Sequence, residues 1–168
     1  MYTKVKILLI CGMVLFFSCK KDQTSSPVST TPTATMSANV GGNTENFSPS
    51  IIFNSVGMTL IGTYSVGALQ YQIQIFAIRP TSNYIGTYSL YRWTGGDYSA
   101  NAGTGFSEQF NYNTDTNHSG IFNITNYNTQ LNTISGTFSF LGNQTYPQID
   151  SGKYTINVTN GVFANVKL

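Results

Sequence analysis

The chain has 168 residues, enough for one domain and a fraction, and only 14 of them carry formal charge, 8 Lys+Arg and 6 Asp+Glu. That share of 8% is about a third of the usual one, which excludes coiled coils, charged interaction tails and electrostatically driven nucleic-acid binding. Hydrophobic residues at 40% and aromatics comprising 11 Phe, 11 Tyr and 1 Trp supply a core, and the surplus of Gly, Thr, Ser and Asn is the composition of an all-β protein rich in turns.

Residues 1–18 read as a signal peptide. Lys4 and Lys6 form the positive start, and the apolar run to Phe17 is too short to cross a bilayer, which takes roughly 20 residues. Phe16-Phe17-Ser18-Cys19, followed by polar Lys20-Lys21-Asp22, resembles a bacterial lipobox. The resemblance implies cleavage before Cys19, lipid on its thiol and on the new amino terminus, and a lipid-anchored place in the bacterial cell envelope, on the outer membrane. Cys11 leaves with the leader and Cys19 is lipidated. The mature chain then has no thiol for a disulfide, a redox motif or a zinc site, and two or more acyl chains make a lasting anchor where one does not.

Residues 19–35 add to the lipidated cysteine a Ser/Thr/Pro-rich tether whose only aliphatic side chain larger than alanine is Val28. Such a segment buries too little to offset the entropy of ordering it. The globular part, 36–168, carries Arg79, Arg92, Lys153 and Lys167 against Glu45, Asp97, Glu108, Asp115 and Asp150. Its balance is therefore slightly acidic, and the alkaline pI of the whole chain comes from the leader and its flank, with no bearing on nucleic acid.

Within 36–168 helix periodicity is absent and period-two alternation is widespread. Met58, Leu60, Tyr64 and Val66 share one parity. Leu69, Tyr71, Ile73, Ile75 and Ala77 alternate with Gln70, Gln72 and Gln74, giving one buried and one wet face. Tyr84, Tyr88 and Leu90 follow, then Phe106, Phe110 and Tyr112 with Glu108 among them, then Ile134, Phe138 and Phe140, and last Tyr154, Ile156 and Val158. Turn signals stand at Gly41-Gly42-Asn43, Ser65 to Gly67, Thr81 to Asn83, Gly95-Gly96-Asp97, Asp115 to Gly120, Gly142-Asn143 and Asn160-Gly161. The pattern predicts about 8–10 antiparallel strands, in an antiparallel β-sandwich or, alternatively, a flattened β-barrel. A Gly-Thr-aromatic element recurs at Gly62-Thr63-Tyr64, Gly86-Thr87-Tyr88 and Gly136-Thr137-Phe138; glycine inside a strand marks a bulge or a close backbone approach, and we read the three as strand-entry kinks.

With the lipobox and tether, the runs Ile134-Ser135-Gly136-Thr137-Phe138-Ser139-Phe140 and Thr159-Asn160-Gly161-Val162-Phe163 resemble a family of uncharacterised, Bacteroidota-type lipoproteins with a C-terminal all-β domain of unknown function. The likeness spans nearly all of 36–168 and implies no catalytic residue and no cofactor.

The residues point away from catalysis. The one histidine, His118, lies in a polar stretch, and no G-x-S-x-G frames a serine. Glu108 stands on an apolar parity but lacks an evident second carboxylate for glycoside chemistry. Asp115 to Gly120 matches the first half of a calcium loop, yet Asn126 holds the place of the bidentate Glu, so a hairpin loop is expected and no metal. Five Asn-x-Ser/Thr sequons, from Asn46 to Asn157, follow from composition. The candidate ligand contacts are Tyr91, Arg92, Trp93 and Tyr98, which gather the only Trp, two Tyr and an Arg at a strand-to-loop junction. Flat aromatic faces beside hydrogen-bonding groups suit sugar rings or peptide segments, and the same residues would equally close the end of a core. The expected function is a membrane-anchored, non-catalytic binding or structural module whose partner is a glycan or an envelope protein. The alternative is a carbohydrate-binding accessory of a glycan-uptake system.

Overall fold

A computed structural model describes residues 31–78, 83–90, 95–102, 107–147 and 154–168. The leader and Cys19 lie outside the described residues. Ten strands run through the rest: β1 (Thr35–Val40), β2 (Asn43–Phe53), β3 (Gly57–Val66), β4 (Leu69–Ile78), β5 (Gly86–Leu90), β6 (Gly96–Ala102), β7 (Ser107–Asn113), β8 (Gly120–Asn128), β9 (Thr133–Tyr146) and β10 (Thr155–Lys167). Among the described residues no helix is long and apolar enough to cross a membrane.

Every pairing is antiparallel, in one sheet of order β10-β1-β2-β3-β4-β6-β7-β9-β8-β5. The sheet curls into a half-barrel, compatible with the expected sandwich or flattened barrel. Because β9 also pairs with β10, the pairings return on themselves through eight strands. β7 and β8 share one edge of β9: Asn111–Asn113 stand against Asn143–Tyr146, and Gly120–Asn128 against Thr133–Phe140. β5 pairs with the far edge of β8.

The alternation of β4 holds as the pattern predicts. Ile73, Ile75 and Ala77 are fully buried, and Gln70 is exposed. Met58, Leu60, Leu90, Phe122, Ile124, Ile134, Val158, Phe163 and Val166 complete the innermost layer. Val66, the last residue of β3, and Tyr154, the residue before β10, stand exposed.

Two expected turns are not turns. β9 runs straight through Gly142-Asn143, and β10 runs through Asn160-Gly161 with a bulge. The reason is parity. Val158, Phe163 and Val166 are separated by odd intervals and would face opposite sides in a regular strand. Register shifts between Val158 and Gly161 and between Phe163 and Val166 bring all three inside. Asn160 (φ 51°) and Asn165 (φ 55°) take the left-handed backbone these bulges need.

Three of the reversals rest on one device. Asn54 Oδ1 accepts the backbone N–H of Val56 (2.9 Å) and Gly57 (2.8 Å). Asp115 Oδ1 does the same for Asn117 (2.7 Å) and His118 (2.8 Å). Asn128 Oδ1 accepts from Gln130 (3.0 Å) and Leu131 (3.1 Å). These are Asx turns, in which a side chain supplies the acceptor that a backbone turn would use.

Of the three Gly-Thr-aromatic elements, only Gly86 opens a strand; Gly62 lies late in β3 and Gly136 inside β9. Gly136 faces Phe163 across β9–β10, and Gly161 faces Phe138. A Cβ at Gly136 would overlap the Asn123 carbonyl oxygen and sit 2.8 Å from Phe163 Cζ, whereas at Gly86 the nearest atom is the Tyr88 hydroxyl oxygen at 3.8 Å. Gly136→Ala is therefore expected to lower the urea midpoint by the equivalent of about 1–3 kcal/mol, the usual range for overpacking. Gly86→Ala should leave it unchanged or raise it, since glycine in a strand costs about 0.5–1 kcal/mol. Equal effects at the two positions would contradict this reading of Gly136.

Candidate functional site

A concavity lies on the outer face of β8, β9 and β10. A hollow of about 530 Å³ is lined by Ile121, Thr137, Ser139, Thr159, Asn160 and Val162, together with Phe138 and Gly161. A second, of about 320 Å³, shares Ile121, Ser139 and Thr159 and continues to Ser119, Leu141 and Asn157. Together they form one groove along β9. Its shape follows from the first bulge of β10, which turns Thr159, Asn160 and Val162 outward while Val158 and Gly161 point in. The lining holds four hydroxyls, two amides and the aliphatic side chains of Ile121, Leu141 and Val162, with no charged side chain. Such a surface can donate and accept hydrogen bonds and shelter a flat apolar face, but offers no net charge to attract an ion.

A separate hollow of about 410 Å³ is bounded by Thr59, Gln74, Phe76, Gly95, Gly96, Asn113 and Thr114. Thr114 holds its floor: Thr114 N donates to Gly96 O (3.0 Å), and Gly96 N donates to Thr114 Oγ1 (3.1 Å). Phe76 N donates to Gly95 O (2.8 Å). Gln74 Nε2 donates to Gln72 Oε1 on the same outer face of β4.

Of the four ligand contacts expected from the sequence, Tyr91, Arg92 and Trp93 lie outside the described residues. The fourth, Tyr98, is 5% exposed and belongs to the core, a correction to its expected place on a binding surface. Its position in β6 faces inward, opposite Tyr112 of β7 and Ile73 of β4. There it ends a row of rings: Phe47 meets Tyr64 edge-on (5.0 Å), Tyr64 stacks on Tyr71 (4.7 Å), and Tyr71 stacks more loosely on Tyr98 (6.3 Å). The hydroxyls of Tyr64 and Tyr98 lie 3.3 Å apart. Burial, and then the hydrogen bond to Tyr64, pushes the Tyr98 phenol far above its ordinary value. Burial also raises Tyr64 and Tyr112. Beyond Tyr112, Gln144 of β9 is 4% exposed. Its Nε2 donates to the Tyr146 carbonyl, and its Oε1 has no hydrogen-bond partner among the described residues.

The Asp115 loop is built as a turn. Both carboxylate oxygens accept hydrogen bonds, Oδ1 from two backbone N–H groups and paired with His118 Nδ1 at 2.8 Å, Oδ2 from Asn143 Nδ2 at 3.2 Å. A small burial cost that would raise the carboxyl is outweighed by these bonds, and it is held down at about 2. Its oxygens are occupied by donors, which is the hairpin-loop reading. Among the described residues, no three His, Cys, Asp or Glu stand together as metal ligands. The backbone of Glu108 pairs with Asn101 in β6; its side chain lies outside the described part.

The model of a family described as a domain of unknown function (DUF6252) matches residues 33–167. The chain belongs to that family. No curated protein and no solved structure matches it. The DUF6252 match begins two residues before β1 and ends on the last residue of β10, so it takes in the groove, the tyrosine row and the Asp115 loop together.

Sequence reasoning missed the groove, because its shape comes from a bulge that the sequence presents as an Asn-Gly turn. The available signal was the outward parity of Thr137 and Ser139, one strand away from Thr159.

The tyrosine row makes the DUF6252 domain sensitive to alkali. A phenol whose folded pKa lies above the unfolded value of about 10 keeps its proton in the native state after the unfolded chain has lost it. The phenols' contribution to stability should therefore be flat between neutral pH and about pH 9 and fall as pH climbs past about 10. Tyr98→Phe should lose about 1 kcal/mol at neutral pH with the Tyr64 contact and should make the alkaline fall shallower. Urea unfolding of both proteins between neutral pH and pH 11 checks this, and an unchanged alkaline slope in the variant would count against the assignment.

Proposed function

We propose that the protein is a lipoprotein of the bacterial envelope, held to the outer membrane through lipid on Cys19, whose β-domain is a non-catalytic module that recognises a neutral ligand. The observation that carries the binding half is the groove along β9, where hydroxyls, amides and aliphatic walls meet without a charged side chain. A surface of this kind selects by shape and by hydrogen bonds. The anchor half is supported by Ser18-Cys19 at the end of the apolar run and by the Ser/Thr/Pro-rich stretch between it and β1.

A second reading makes the module a carbohydrate-binding accessory of a glycan-uptake system. The hydroxyls of Thr137 and Ser139 on β9 and Thr159 on β10 favour it, since each both donates and accepts hydrogen bonds without charge, as the hydroxyls of a neutral sugar do.

Two experiments test these readings. Globomycin should block maturation of the wild-type chain, and Cys19→Ala should move the protein to the soluble fraction; a Cys19→Ala chain that stays in the membrane overturns the anchor. The soluble Cys19→Ala chain should bind neutral polysaccharide on a glycan array, and Thr159→Asp should weaken that binding by about tenfold or more by placing a charge in the groove. Array silence removes the carbohydrate reading, and capture of an envelope protein that Thr159→Asp abolishes supports the broader one.

A further inference from the structure

One end of the half-barrel gathers the reversals and strand ends at Phe53–Gly57, Ile78, Ile85, Asn128–Thr133 and Lys167, because β2, β4, β8 and β10 all finish there and β3, β5 and β9 start there. The chain enters the domain at the same end: Thr31, Pro32 and Ala34, just ahead of β1, line one hollow with Ile51, Leu131 and Lys167. The opposite end carries the Gly41-Gly42 and Gly67-Ala68 turns.

Among the polar turn residues of the entry end, such as Asn54, Ser55 and Gln130, stand several exposed apolar side chains. Ile52, Val56, Ile78, Ile85 and Leu131 are between 38% and 61% exposed, and all five lie at or beside these reversals. They make up half of the large hydrophobic side chains that the described domain leaves in water. A scatter of single exposed aliphatics needs no explanation, but five on one rim do. Lys167 adds a cation at the same end. Glu45 lies beside the β1–β2 turn at the other end, and Asp115 is bonded to Asn143, far along β9 from Thr133.

We propose that this end rests on the lipid bilayer, with Val56, Ile85 and Leu131 at the boundary between headgroups and acyl chains and Lys167 facing anionic headgroups. The inference rests on the anchor reading above, which says what lies beyond Thr31. Cys19 is twelve residues away along the chain. A flexible or Pro-stiffened segment of that length holds its ends about 20–40 Å apart. A lipid at Cys19 would therefore keep this rim within a few tens of ångströms of the membrane at high effective concentration. Weak insertion of a few aliphatic side chains is then enough to orient the domain, as it is for interfacial segments that sit about 5–10 Å deep. The groove along β9 runs up the side wall, clear of the surface.

The experiment separates the contact from the anchor. Wild-type protein extracted from membranes should resist a maleimide dye, because Cys19 carries lipid; a dye-labelled Cys19 sinks the anchor reading alone. The contact is read on chains in which a polyhistidine tag replaces residues 1–19 and holds the full tether and domain on vesicles of phosphatidylethanolamine, phosphatidylglycerol and a nickel-chelating lipid. An environment-sensitive dye on Val56→Cys or Leu131→Cys should shift to the blue, and doxyl-labelled lipid should quench it about twofold or more beyond the same dye on Val66→Cys at the opposite end. Equal quenching at both ends overturns the proposal. So does a blue shift that rises with protein concentration without vesicles, which would mean that a second copy covers this rim. Ile85→Asp with Leu131→Cys should remove most of the excess quenching, and circular dichroism of that chain should match its parent.

Discussion

The fold depends on aromatic rings laid over glycines on the neighbouring strand. Phe138 stands opposite Gly161, Phe163 opposite Gly136, and Phe140 opposite Gly120. In each pair a Cβ on the glycine would come within 3 Å of the ring or the backbone beneath it. Phe140 also lies over Gly96 at the start of β6. The missing side chain lets the ring fold down onto the sheet, so a small interior can hold large aromatics, and the pair works in only one register. All four pairs involve β9. That strand therefore fixes β8 and β10 on its two edges, and with them the point at which the circuit of pairings returns on itself.

The outer surface follows from the same constraint. For β10 to offer Val158, Gly161, Phe163 and Val166 to the inside, it must absorb two extra residues, and it does so at Asn160 and Asn165. The residues displaced at the first bulge open the groove. An inner demand for apolar surface at odd spacing thus creates an outer hollow lined by Thr159, Asn160 and Val162. The candidate site is a by-product of core packing, which is why no cluster of reactive groups marks it in the sequence.

Much of the fold was legible, and the misses share a cause. The β4 run declares itself because its apolar and amide residues alternate without interruption from Leu69 to Ile75. Asn160-Gly161 was misread because left-handed Asn followed by Gly serves a hairpin and a bulge equally well. Which one forms depends on whether the partner strand continues past it, and β9 does. Asn54 and Asn128 reverse the chain without the Gly pair that advertises a tight turn, since their side chains make the bonds. Tyr98 looked like a surface aromatic because Gly95, Gly96 and Asp97 suggest a loop there, whereas β6 begins at Gly96 and its parity carries the ring inward.

The first strand pairs with the last, β1 with β10. This contact joins residues more than a hundred positions apart, and the circuit cannot close until both ends of the domain are present. Loop-closure entropy must be met before that pairing returns any stabilisation, so folding is expected to be slow for a domain of this size. Until then, β1 to β4 can pair only as an open meander in which β1 keeps an unpaired outer edge. A growing chain therefore gains the native sheet in a late, concerted step and spends most of its synthesis in a state that any translocation or chaperone machinery can still thread.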